Sequence, residues 1–264
     1  MKLFGRLCLN NIKTSLAFSV DSAVGLLFSF AQVVFQALVW KGLYRGAPEV
    51  MGVALGDMLT YTVLSRLTIM LTDSGGIMFQ INDSVQNGSI VERLTVPLGF
   101  KRYYTLNALA ATPVDFVTRI IPVVAASALL FGVRIGANLM TVLAYLAATA
   151  FGFAIMTGYE FIMGLSVLWL KNSFFLQWMD GMISQLFTGY MVPMWFFPKW
   201  LETVGRFLPF RCVIFEPVSI LMGKTAPEQI PLTLCVSAAW AVGLHAVASL
   251  IWSRGSKYLL INGG

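Results

Sequence analysis

Long apolar stretches alternate with short polar segments along most of this chain, and the alternation predicts membrane-spanning helices. A helix that crosses a bilayer needs roughly 20 consecutive, mainly apolar residues. Stretches of this kind lie at about 22–44, 53–72, 104–131, 139–170, 174–195 and 231–252. Asp57 and Arg66 interrupt the second stretch, and Pro113 and Pro122 interrupt the third. The pattern predicts an all-α membrane protein with six transmembrane helices.

The first residues have a different pattern, in which apolar and polar positions alternate at helical spacing. Leu7 and Ile12 alternate with Arg6 and Lys13. A helix of this type lies in the plane of the membrane interface. The apolar run is too long for a cleavable signal peptide, and no small-residue cleavage pattern follows it. We therefore expect residues 1–20 to form an interfacial helix, within a single transmembrane domain over 1–264.

Composition agrees with a membrane location and bears on partners. Hydrophobic residues make up 58% of the chain and charged residues 11%, compared with about a quarter charged in soluble domains. The net charge of +6 is typical of cytoplasmic loops near anionic lipid, so membrane lipids are expected partners and nucleic acid is not. More of the loop Lys and Arg residues lie on the face with both termini, which places both termini in the cytoplasm.

Charged residues within the predicted spans are candidates for function. Each costs roughly 2.5–3.5 kcal/mol at the bilayer centre unless it is paired or hydrated. Asp115 and Arg119 are four residues apart with the acid first, the favourable order for a helical ion pair. We expect a cluster that faces the bundle interior and consists of Arg66, Asp115, Arg119 and Glu160. Two interpretations stay open: structural ion pairs, with Arg66 extending to the inner interface, or contact with a substrate.

The longest polar stretch on the predicted cytoplasmic face is the loop 73–103. Apolar residues recur there at helical spacing, and Asn87-Gly88 ends the pattern. The spacing predicts a short amphipathic helix, suited to docking on a partner or to resting on the bilayer. The residues that we expect to contact a partner are Met78, Ile81, Val85, Ile90 and Leu94.

The segment after the fifth stretch combines prolines with large aromatic residues. Pro193 and Pro198 interrupt an apolar run that contains Trp195, Phe197 and Trp200. Proline removes a helical hydrogen bond, and aromatic rings favour the headgroup region. The pattern predicts a broken, partly re-entrant fifth span and a cap formed by residues 189–230.

Catalytic chemistry is poorly represented in the sequence. His245 is the only histidine, so a metal site or a Ser/His triad has no second partner. The segment VSILMGKT, residues 218–225, ends like a phosphate-binding loop but has Val218 where the first glycine should be. We expect no catalytic residues, no bound cofactor and no metal on this chain.

Three features together resemble the permease subunits of ABC type-2 transporters, in particular the six-span bacterial group similar to drug and viologen exporters. They are the interfacial helix, the segment NGSIVERLTVPL at 87–98, and the segment GYMVPMWFFPKWLETVGRFLPF at 189–210. The resemblance covers nearly the whole chain.

The resemblance implies an exporter of amphipathic or hydrophobic molecules in the bacterial inner membrane. ATP and Mg would be bound by a separate nucleotide-binding ATPase subunit, and a second permease chain, identical or related, would complete the pathway. The loop 73–103 would transmit movement from the ATPase. An extracellular gate would contain Pro193, Trp195, Phe197, Pro198 and Trp200.

Two other classes of protein remain as alternatives. An ion-coupled secondary transporter would use Asp115 and Glu160 as proton sites, although no similarity between the two halves of the chain is visible. An intramembrane enzyme would need more acidic or histidine residues than Glu160 and His245 supply.

Overall fold

Helices account for most of the chain in the computed structural model, which describes residues 2–17, 19–90, 99–133, 136–170 and 173–262. The helices are α1 (Lys2–Ala17), α2 (Ser19–Tyr44), α3 (Leu55–Leu71), α4 (Ile77–Gln86), α5 (Phe100–Asp115), α6 (Ile121–Phe131), α7 (Leu139–Ser166), α8 (Ser173–Phe187), α9 (Lys199–Arg206), α10 (Phe215–Leu221) and α11 (Ile230–Asn262). A small antiparallel hairpin of β1 (Glu49–Val50) and β2 (Val53–Ala54) follows α2.

Within the described residues, four helical stretches are long and apolar enough to cross a membrane: Ser22–Tyr44, Phe100–Phe131, Leu139–Ser166 and Pro227–Ser256. They correspond to the first, third, fourth and sixth stretches of the sequence pattern. The second and fifth correspond to α3 and α8, which have 17 and 15 residues. The expectation of a helical membrane protein is confirmed, with four helices of spanning length among the described residues.

Contacts at the two ends of the bundle show how the helices are oriented. At one end, the hairpin end, the Tyr44 hydroxyl donates a hydrogen bond to the Val53 carbonyl over 3.0 Å, and Lys41 Nζ lies 5.5 Å from the ring centre of Phe131. At the other end, the α4 end, the Phe100 ring stacks on Trp252 with 4.1 Å between ring centres. Gly164, near the end of α7, packs on α4, and Phe196, after α8, lies 5.2 Å between ring centres from Trp40, near the end of α2. The helices α2, α3, α5–α6, α7, α8 and α11 therefore run in alternating directions.

A π-helical segment, Phe116–Ile120, joins α5 to α6. Pro113 lies inside α5, and Pro122 lies at the start of α6. Proline has no backbone N–H, so the regular hydrogen-bond ladder cannot continue unchanged through these positions. The third predicted span is thus one continuous helical stretch that contains a short π-helical segment. It begins at Phe100 rather than at Tyr104.

The central helix is α7, which packs most extensively on α11 and also contacts α4, α10 and the turn before α10. Glycines permit these close contacts. A Cβ atom at Gly158 would lie 3.0 Å from Leu244 Cβ, and one at Gly164 would lie 3.0 Å from Ile81 Cδ1. Larger residues at either position would force the neighbouring element away.

Within the residues 1–20 for which an interfacial helix is predicted, the structure has the helix α1, Lys2–Ala17, which packs along α5. The loop 73–103 contains the expected short helix, α4. The fifth span ends earlier than the sequence pattern indicates: α8 ends at Phe187, well before Pro193. The chain turns at Gly189, which has a φ of +80°. Beside this turn the Thr188 carbonyl accepts a hydrogen bond from the Phe215 N–H over 3.0 Å.

Candidate functional site

A cavity of about 310 Å³ lies between α3, α7, α8 and the turn before α10. We call it the polar cavity, because its lining includes Arg66, Asp73, Ser74, Glu160, Asp180 and Thr188. Apolar side chains such as Met156 and Ile214 complete the wall. A cavity with both kinds of lining can receive a molecule that has polar and apolar parts.

Glu160 connects this cavity to α4. The side chain projects from the apolar span α7 and is buried. The Met78 backbone N–H donates a hydrogen bond to Glu160 Oε2 over 3.2 Å. Met78 lies in the first turn of α4, where helical N–H groups have no partner within the helix and the dipole favours a negative charge. Glu160 therefore joins the first turn of α4 to the middle of the bundle.

Arg66 lies at another part of the cavity wall and holds three elements together. Its Nη1 donates to the Tyr190 hydroxyl over 3.0 Å, and its Nη2 donates to Ser29 Oγ over 2.7 Å. These bonds connect α3 to α2 and to the segment after α8. Gln36 Nε2 adds a bond to the Tyr190 carbonyl over 2.9 Å. Instead of extending to the inner interface, Arg66 is fixed within the bundle.

The Asp115–Arg119 pair lies elsewhere. Arg119 Nε is 3.5 Å from Asp115 Oδ1, and both side chains are partly exposed. The guanidinium lies beside Gly25 of α2, and neither residue lines the polar cavity. The charges that we expected in one cluster therefore form two groups. Arg66 and Glu160 share a cavity, whereas Asp115 and Arg119 pair with each other outside it.

The apolar face of α4 is directed toward the protein interior. Met78 is 2% exposed and Ile81 is 0% exposed, and both pack against Gly164 of α7. The expectation that these side chains contact a separate partner is wrong, because α7 already covers them. Ile90 is likewise buried and Val85 is partly buried. Leu94 lies outside the described residues.

The opposite face of α4 is exposed and can contact another protein. Phe79 is 50% exposed, and Asp83 and Gln86 are exposed beside it. We call these three residues the α4 surface. Aromatic residues are enriched at protein contacts.

The predicted gate residues occupy a short irregular segment at the hairpin end. Trp195 makes edge contacts with Tyr61 and Phe215, at 5.3 and 5.4 Å between ring centres. Pro193 and Phe197 are buried, whereas Pro198 and Trp200 are exposed. The segment 193–200 therefore packs onto α3 and α10 and presents Trp200 on the surface.

Sequence analysis missed several residues of the polar cavity. Asp180 had a detectable signal, because it is an acid within the apolar stretch 174–195. Ser74 had no such signal, since it lies in a connecting segment that only the tertiary structure brings to the cavity. Tyr190, which accepts a hydrogen bond from the cavity residue Arg66, had none either.

Four apolar helices of spanning length among the described residues indicate a multi-pass membrane protein. A family model described as ABC-2 family transporter protein matches residues 30–263, and the chain belongs to this family. It is thus a membrane permease of an ABC transporter. No curated protein and no solved structure matched the chain.

Proposed function

We propose that this chain is the permease subunit of an ATP-driven exporter, which moves amphipathic or hydrophobic molecules out of a bacterial cell. The observation that carries the proposal is the hydrogen bond between Met78 and Glu160. In a chain of this family it connects a surface helix directly to the wall of a membrane-depth cavity.

The proposed topology has six crossings of the inner membrane, with both termini in the cytoplasm. The alternating helix directions support it. By length, α3 and α8 are about 26 and 23 Å, compared with a hydrocarbon core of about 30 Å. Each is continued by buried residues at the hairpin end, where Val53 precedes α3 and Thr188 follows α8. In this topology the hairpin end faces outward and the α4 end faces the cytoplasm.

Energy would come from a separate nucleotide-binding ATPase, which binds ATP and Mg, so this chain is a transport subunit rather than an enzyme. We assign the docking contact to the α4 surface. A force on Phe79, Asp83 or Gln86 would move α4 as a rigid unit, because the opposite face packs tightly on α7. The loop 73–103 thus keeps its proposed coupling role, with a different set of contact residues.

A second permease chain, identical or related, would complete the pathway. α8 presents exposed apolar side chains along one side, including Phe175, Trp178 and Met182. The same helix contributes Asp180 to the polar cavity. Pairing through this helix would therefore place the two cavities close to a common route. The segment 189–230 at the hairpin end would close that route on the extracellular side.

Co-purification with candidate ATPases tests the proposal. Two permease and two ATPase chains should elute together, and ATP should drive uptake of an amphipathic dye into inside-out vesicles that contain the complex. Transport driven by a proton gradient without ATP, or a purified complex with no ATPase under any condition, would contradict it. The first of these results would instead favour an ion-coupled transporter that uses Glu160.

A further inference from the structure

A second and larger cavity, of about 680 Å³, lies at the hairpin end between α9, α10 and the start of α11. We call it the outer cavity. Its charged and hydroxyl lining includes Glu202, Arg206, Arg211, Glu216, Ser219 and Lys224. It shares no lining residue with the polar cavity. It belongs to a part of the chain to which the export proposal assigns only a cap.

Two of its cations are closely paired with acids. Arg206 Nη2 lies 2.6 Å from Glu202 Oε1, and Lys224 Nζ lies 2.5 Å from Asp57 Oδ2. Both distances are within the reach of a charge-assisted hydrogen bond. Arg206 and Lys224 therefore each have an acid partner within the protein.

Arg211 is different. Its nearest acid atom is Glu216 Oε1, at 3.4 Å from Nη1, which is longer than a charge-assisted hydrogen bond. Its buried Nε has no hydrogen-bond partner among the described residues. Burial raises the pKa of the Glu216 carboxyl, and the adjacent Arg211 acts in the opposite direction. Arg211, which lines the cavity, is thus less closely paired with an acid than Arg206 and Lys224 are.

Ser219 adds a second unused donor. Its side chain lines the outer cavity and the residue is 3% exposed, yet its Oγ has no hydrogen-bond partner in the part of the chain that the structure describes. A Ser or Thr side chain inside a helix can donate to the carbonyl four residues earlier, as Thr68 does. A buried hydroxyl and a buried guanidinium N–H without acceptors are costly, so a bound acceptor would stabilise both.

The remaining wall is apolar and continues onto a membrane-spanning helix. Leu232 and Val236 of α11 line the cavity, and Leu232 is mostly exposed. Trp195 and Phe215 also line the cavity. The cavity therefore joins a charged recess to a surface suited to an alkyl chain.

We propose that the outer cavity binds the oxyanion headgroup of a lipid-like amphiphile, with Arg211 and Ser219 as donors and the alkyl chain along Leu232 and Val236. The bound molecule would be either a resident phospholipid or exported cargo at the exit, since both supply the same chemistry. The binding itself does not depend on the export proposal.

The test uses the full chain in a neutral maltoside detergent and measures tryptophan fluorescence during titration. The probes are dioctanoyl phosphatidylglycerol, dioctanoylglycerol with the same tails and no phosphate, and inorganic phosphate alone. We expect saturable binding of the phospholipid and much weaker binding of the other two. Arg211→Gln should raise its Kd by at least about tenfold, and Ser219→Ala by about two- to tenfold.

Arg206→Gln is the matched control, because Arg206 lines the same cavity but is already paired; its Kd should stay within about twofold of wild type. Without probe, Ser219→Ala should unfold at the same temperature as wild type or higher, because an unsatisfied hydroxyl is removed. If Arg211→Gln does not fold, the Kd of the phospholipid for Ser219→Ala alone tests the proposal. Equal binding in wild type and Ser219→Ala, or equal binding of dioctanoylglycerol, would overturn the proposal. If inorganic phosphate binds as tightly as the phospholipid, the proposal that the ligand is an amphiphile is overturned.

An experiment on the assembled transporter distinguishes a resident phospholipid from exported cargo. A resident lipid should stay bound, and be detected by native mass spectrometry, in both nucleotide-free and nucleotide-trapped states. Cargo should be released in one of them. Loss of binding without loss of ATP-driven transport would leave the export proposal intact, so the two proposals can fail independently.

Discussion

The Met78 N–H and the Glu160 carboxylate lie 3.2 Å apart, and this hydrogen bond joins a surface helix to a membrane-spanning one. A carboxylate at the first turn of a helix satisfies an N–H that the helix itself cannot. It also interacts favourably with the helix dipole. The position of α4 therefore depends on a side chain that belongs to the wall of the polar cavity.

The first prediction compares two substitutions of this residue. Glu160→Gln keeps an oxygen acceptor for the Met78 N–H, whereas Glu160→Leu leaves that buried N–H without a partner. We expect the glutamine variant to be more stable than the leucine variant by about 1–3 kcal/mol. Thermal unfolding of the purified chains in the same detergent measures the difference. Equal stability would mean that the bond contributes little to the position of α4.

The second prediction concerns the two faces of α4. Ile81→Asp places a charge in the contact with α7 and should prevent stable folding, because a buried unpaired charge costs several kcal/mol. Phe79→Asp lies on the exposed face and should leave expression and the unfolding temperature unchanged. It should nevertheless weaken ATPase co-purification at least about tenfold, since a large apolar anchor is lost. Normal ATPase binding by Phe79→Asp would exclude the α4 surface as the docking contact.

The third prediction concerns the ion pair of the third span. Arg119→Ala leaves Asp115 unpaired at membrane depth, whereas Asp115→Asn together with Arg119→Gln removes both charges. We expect the single variant to lose more stability than the double variant, because the interaction between neighbouring charges is not additive. Melting temperatures of both variants and of Asp115→Asn complete the comparison. Equal losses would show that the two side chains are not coupled.

The fourth prediction concerns the proposed extracellular gate. In a background with Cys8 and Cys235 replaced by alanine, a cysteine at Phe197 should resist an impermeant external thiol reagent, because this side chain is buried. A cysteine at Trp200 should react in every state and serves as the control. If the segment moves, trapping the ATPase with nucleotide should accelerate labelling at Phe197 several-fold. Constant labelling at Phe197 would argue against movement.

The fifth prediction concerns the packing of α7 on α11. Gly158→Ala would bring its Cβ to 3.0 Å from Leu244 Cβ, so we expect a loss of about 1–3 kcal/mol from overpacking. Gly243→Ala provides the matched control, because a Cβ there has no neighbour within 4 Å. It should be neutral or stabilising by up to about 1 kcal/mol, since alanine favours a helix. Unfolding in denaturant distinguishes them, and similar losses would indicate that α7 and α11 adapt freely.

The sequence by itself determined the class of protein and the main helices. Hydrophobic length identified the spans that become α2, α5–α6, α7 and α11, and helical spacing identified α1 and α4. These properties are local, because the length and periodicity of an apolar run depend only on neighbouring residues. The same local signal marked Arg66 and Glu160 as costly charges that require partners.

Only the tertiary structure decided what those faces and charges contact. Periodicity shows that Met78 and Ile81 share an apolar face, but it cannot show whether that face is covered by α7 or by another protein. Directly after the end of α8 at Phe187, Thr188 is hydrogen-bonded to Phe215, which is far away in the sequence. Long-range packing likewise separates Asp115 from Glu160, because it sets the distance between helices, which no local pattern contains.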